Sequence, residues 1–116
     1  MPVVIGTIVF GVDLELFAGA TVYVRLEDVS RINTSALVVA ETVLQDVRAG
    51  GQVQNRIEFT INAPPLDSRA RYVVRVHVDV DVDGQVGIGD YVSTVSHAVN
   101  AGGGTTTLLI PVKRVS

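Results

Sequence analysis

From Tyr72 onward an apolar row of Tyr72, Val74, Val76, Val78, Val80 and Val82 stands opposite Arg71, Arg75, His77, Asp79, Asp81 and Asp83. A period of two is the signature of a β-strand that buries one face and wets the other, and no helix can satisfy it. The same alternation recurs twice. Val22, Val24 and Leu26 oppose Thr21, Tyr23, Arg25 and Glu27, and Ile57, Phe59 and Ile61 oppose Arg56, Glu58 and Thr60. Three further segments, Val3 to Phe10, Tyr91 to Val99 and Thr105 to Val115, are apolar on both sides in places, as strands nearer the centre of a sheet would be.

Between these runs fall Ala18-Gly19, Asn33-Thr34, Gly50-Gly51, Pro64-Pro65, Gly84, Gly87 to Gly89 and Gly102-Gly103-Gly104, the residue types that turns require. One stretch is ambiguous. Ala36, Val39, Ala40, Val43 and Val47 would fit a helical face between a Ser35 cap and Gly50, but Val38, Val39, Thr42 and Val43 are β-branched and favour a strand, which is the expectation adopted. The result is an all-β chain forming a single β-sandwich domain over residues 1–116, with about seven mainly antiparallel strands in an immunoglobulin-like or transthyretin-like arrangement. An apolar fraction of 47% with only 5% aromatics suits a core packed by Val and Ile.

Composition excludes several functions. Without cysteine there is no disulfide framework, thiolate zinc site, cysteine nucleophile or lipid-accepting thiol. No stretch reaches the ~18 to 20 apolar residues of a spanning helix, so no membrane insertion is expected. The amino-terminal stretch has no basic region, and Asp13 and Glu15 interrupt its apolar run, so as written the chain carries no export signal and is expected in the cytoplasm. An export segment removed from it would instead place it in the periplasm or envelope. Asp79, Asp81, Asp83 and Asp90 carry more negative charge than the whole chain's net −3, and no Lys or Arg lies between Val76 and Gly104. Such local acidity attracts cations and disfavours nucleic acid.

The segment from Asp79 to Asp90 has acids at its first, third, fifth and twelfth positions and Gly84 at its sixth, the spacing of a calcium loop. The candidate ligands are Asp79, Asp81, Asp83, Gln85 and Asp90, and the candidate ion is Ca2+. Side chains two apart in an extended strand stand about 6.6 Å apart, so the chain must curl near Gly84 before the carboxylates can share an ion. The competing reading makes the aspartates the solvated face of a long hairpin that discourages edge pairing. His77 and His97, with Asp79, would form a zinc or copper set if the strands brought them together. Ser93 or Ser96 with His97 and Asp90 is the one conceivable nucleophile, base and orienter, but no nucleophile elbow or phosphate loop accompanies it, so no enzyme is expected.

Gly19-Ala20-Thr21-Val22-Tyr23-Val24-Arg25-Leu26-Glu27-Asp28-Val29-Ser30, followed by Leu37 to Glu41, Arg56 to Phe59, Asp67 to Val76 and Gly89 to Ser93, resembles the YbaY/YscW-type lipoprotein family over roughly residues 3 to 112. The resemblance implies a small β-sandwich and no catalytic residues. Its type III secretion members act as pilotins, lipid-anchored chaperones that help a secretin localise and assemble, whereas this sequence lacks the signal and the anchoring cysteine. A non-enzymatic protein-binding or chaperone-like role follows, with an unidentified protein partner and an undetermined oligomeric state. The alternatives are a calcium-binding sandwich using the Asp79 to Asp90 hairpin, or a small-molecule carrier or hydrolase with a concave site.

Overall fold

The computed structural model describes residues 2–31, 34–52, 54–102 and 104–116. Asn33 and Gly103, two of the expected turn residues, lie outside them. Among the described residues eight strands form the fold: β1 (Val3–Phe10), β2 (Phe17–Asp28), β3 (Leu37–Ala49), β4 (Arg56–Asn62), β5 (Tyr72–Asp79), β6 (Tyr91–Ser93), β7 (His97–Val99) and β8 (Thr105–Arg114). Hydrogen bonding runs continuously along β3-β2-β5-β6-β8-β1-β4, with β7 also paired to β5. The layers of the expected sandwich are therefore two halves of one coiled, nearly closed sheet. Every ladder is antiparallel except β1 with β8, which runs parallel from Val3 opposite Thr105 to Phe10 opposite Val112.

Alternation places the core as the pattern requires. In β4 Ile57, Phe59 and Ile61 are buried while Arg56, Glu58, Thr60 and Asn62 are exposed. They join Val4 and Ile8 of β1 and Ile110 of β8, facing Val22, Val24 and Leu26 of β2 and Val74, Val76 and Val78 of β5 in one cluster. Each such side chain contributes roughly 1.5 to 3 kcal/mol on burial. Phe10, Phe17 and Tyr91 close one end, with ring centroids 5.1 to 5.8 Å apart. The Tyr91 hydroxyl accepts from the Glu15 N–H at 2.8 Å, so the buried phenol is not left unpaired.

Two expectations need correction. Tyr91 to Val99 is not one strand. The chain leaves β5 at Thr94 to Ser96, and Ser93 Oγ accepts the Val76 N–H at 3.0 Å where the ladder is broken, before β7 resumes opposite Tyr72 to Val74. The row from Tyr72 to Val82 also stops early: β5 ends at Asp79, and Val82 is exposed in a turn. Ser35 to Gly50 forms a strand over Leu37 to Ala49, because β2 supplies its backbone with a ladder while Val39, Ala40, Leu44 and Val47 pack against the core.

Candidate functional site

β5 delivers Asp79 to the point where the sheet ends, and the next residues turn sharply. Val82 has φ 56° and Gly84 φ 80°. For a β-branched residue the left-handed region is costly, so the loop's other contacts must hold Val82 there. Those contacts are carboxylates receiving backbone N–H groups. Asp79 Oδ2 accepts from Gly84 at 2.9 Å, Asp83 Oδ1 from Gln85 at 3.0 Å, and Asp90 from Val80 at 3.0 Å and Gly87 at 3.2 Å. The Val115 N–H donates to the Asp90 carbonyl at 2.8 Å, tying the loop to the chain just beyond β8.

The curl brings Asp79, Asp81, Asp83 and Asp90 together, each offering one carboxylate oxygen within 4.8 Å of the others. Asp79 and Asp90 are buried, at 0% and 1% exposure, whereas Asp81 and Asp83 are open to solvent. The wet row of aspartates expected from alternation is thus corrected at Asp79. Gln85 is exposed and joins the cluster through its backbone N–H.

Electrostatics separates the acids. Burial pushes the Asp79 carboxyl up, but the Gly84 N–H, the Asp81 carboxyl, the Asp83 N–H and His77 together hold it below its ordinary value. Desolvation and the neighbouring carboxylates of Asp79, Asp83 and Asp90 raise Asp81.

His77 Nε2 lies 2.8 Å from Asp90 Oδ2. His97 stands opposite Val74, on the core side of the sheet, while His77 alternates onto the outer face. The structure therefore does not unite the two imidazoles, nor does it assemble the serine set: Asp90 pairs with His77, and Ser93 Oγ is taken by the Val76 N–H. Sequence reasoning missed what surrounds His77. Tyr23 stacks on it with centroids 5.8 Å apart, the Arg25 guanidinium lies 4.9 Å over the Tyr23 ring, and Arg25 and Arg75 pair with Glu41 and Glu27 across the strands. Tyr23, Arg25, Glu27, Arg75 and His77, with Val86 and Val92, line a cleft of about 200 Å³ beside the acidic loop. Alternation within β2 and β5 put these side chains on one face, but the pairing that joins the faces was not visible in either strand.

A second feature is the sheet's ends. β3 and β4 terminate the hydrogen-bonded path and meet through a side chain, Thr42 Oγ1 donating to the Thr60 carbonyl at 2.7 Å. Leu37, Val38 and Val43 of β3 are 41 to 49% exposed.

Comparison with known proteins agrees with this architecture. The "alternative pilotin from the type II secretion system of Vibrio cholerae" superposes with a TM-score of 0.75 at 20% identity, over 98% of this chain and 96% of that one, which establishes a shared fold. No functionally curated protein matches the sequence. The model of the family described as type III secretion system lipoprotein chaperone (YscW) matches residues 1–108. The chain belongs to the YscW family.

Proposed function

We propose that this protein is a chaperone-like binding module of a secretion system that captures an extended segment of its partner by strand addition at β3. Its family is one of secretion chaperones and its structural neighbour is a pilotin, neither of them enzymes, and both support a protein partner such as a secretin. The observation that carries the reading is the state of β3. It is 13 residues long, pairs through its backbone with β2 alone among the described residues, and exposes Leu37, Val38 and Val43. Of the devices that blunt edge strands, β3 carries register shifts near Val39 and Asp46 but neither Lys nor Pro. Free N–H and C=O groups beside apolar side chains are what strand addition uses: main-chain bonds give affinity and alternate side chains give selectivity.

The test is fluorescence anisotropy with labelled peptides tiling the secretin of the same secretion system. One peptide rich in β-branched residues should bind, and Val38→Lys with Val43→Lys should weaken it at least about tenfold, the like of about 1.4 kcal/mol. Unchanged affinity in the folded double variant would move the binding site away from β3.

A further inference from the structure

We infer that the Asp79 to Asp90 loop is a calcium site in which Asp79, Asp81, Asp83 and Asp90 each supply a carboxylate oxygen to one ion. Asp79 carries the argument. Its side chain is fully buried, and its Oδ1 has no hydrogen-bond partner among the described residues while Oδ2 takes the Gly84 N–H. A buried carboxylate oxygen requires a donor or a cation. Its nearest chemical neighbours in the loop are other carboxylates, which accept and do not donate when ionised. No Lys or Arg forms an ion pair with any of the four acids among the described residues, and His77 is already engaged by Asp90.

The geometry suits one hard ion. Ligand oxygens about 2.4 Å from a calcium ion lie no more than about 4.8 Å apart, and the four offered oxygens fall within 4.8 Å of one another. The four acids offer oxygen only; a ring nitrogen of His77 also lies within 4.8 Å of Asp79 and Asp90, but its Nε2 is held by Asp90 Oδ2 at 2.8 Å, where it orients that carboxylate. Loop carbonyls and water would complete a calcium shell, which takes 6 to 8 oxygens. Magnesium demands a tighter octahedron of about 2.1 Å bonds, which four carboxylates on one 12-residue loop are poorly placed to give. Because two of the acids are exposed, the ion would enter from solvent without opening the sheet.

The experiment is calorimetric titration of the EDTA-treated full chain with CaCl2, MgCl2 and ZnCl2 in separate runs, with amide chemical shifts followed in parallel. The expected result is one calcium per chain, with a Kd of about 0.1 to 1 mM as in non-sensor modules, at least tenfold weaker magnesium binding, and shifts centred on residues 79–90. The melting temperature should rise by about 3 °C or more at ~5 mM calcium. Asp83→Asn and the double variant Asp81→Asn, Asp83→Asn should each bind at least about tenfold more weakly, yet melt no lower than wild type in EDTA, because removing charge from the cluster relieves repulsion. Asp67→Asn, far along the chain, should bind as wild type does. Absence of heat and of shifts at 5 mM calcium overturns the assignment, as do wild-type affinity in both loop variants or tighter zinc binding that His77→Gln abolishes.

Discussion

Asp67 fixes the turn that feeds β5 and shows what one carboxylate does in this fold. Its Oδ1 accepts the Arg69 N–H at 2.9 Å, its carbonyl accepts the Ala70 N–H at 3.0 Å, and its own N–H donates to the Tyr72 hydroxyl at 2.9 Å. The Arg69 N–H, and then the Arg69 side chain, hold the Asp67 carboxyl below its ordinary 3.8. The sign follows from linkage: a carboxylate whose folded value is depressed stabilises the protein above its unfolded value, and that stabilisation is lost as pH falls through the folded one. Asp67→Asn keeps the acceptor oxygen but not the titration. Its urea midpoint is therefore expected to fall less than the wild type's between pH 5 and about pH 3; equal losses in the two proteins would remove Asp67 from the acid response. Asp28, depressed by the Ser30 N–H, stays in both proteins as a common background. Asp79 marks the limit of reading at this scale. Local alternation assigned it to the wet face with Asp81 and Asp83, and only the return of the chain at Asp90 buries it.

Among the elements, β3 and its exit turn were partly legible. The β-branched residues Val38, Val39, Thr42 and Val43 pointed to a strand even though the apolar spacing also fitted a helix, and the strand forms because β2 offers it a ladder. Its register slips were not legible. One lies between the pairs Val22 with Leu44 and Ala20 with Val47, where Asp46 adopts φ 54°. An extra residue in one strand changes no local hydrophobic pattern strongly enough to be seen. Gly50 was legible as a turn residue, but the sequence did not say why only glycine fits. It has φ 99°, and a Cβ there would stand 2.7 Å from Leu16 Cα, a backbone atom that cannot swing away. Gly84 has φ 80° with open space around it. Gly50→Ala is therefore expected to cost about 2 to 4 kcal/mol, against about 1 kcal/mol for Gly84→Ala, as read from urea unfolding in EDTA. Equal costs would mean that the approach to Leu16 relaxes freely.

Across the whole molecule, the strands could be found from alternation, but their order could not, because pairing joins residues far apart in sequence. The parallel ladder between β1 and β8 sets the first and last strands side by side, and the strand order consigns β3 and β4, consecutive in sequence, to opposite ends of one sheet. That order predicts a pattern of amide exchange. β2, β5, β8 and β1 pair on both sides and hold the core residues Val22, Val24, Val76, Ile8 and Ile110, so their amides should open only with global unfolding. Alternate amides of β3, those pointing away from β2, have no ladder partner among the described residues and should exchange at least about a hundredfold faster. If they are instead as protected as β2 in the free protein, β3 and β4 close on each other by backbone pairing in solution and no edge is left for a partner. If they are fast in the free protein and become slow when a secretin peptide binds, the peptide has supplied the missing strand. Protection that appears only elsewhere would place the partner on the outer face around Tyr23 and His77, and strand addition would be excluded.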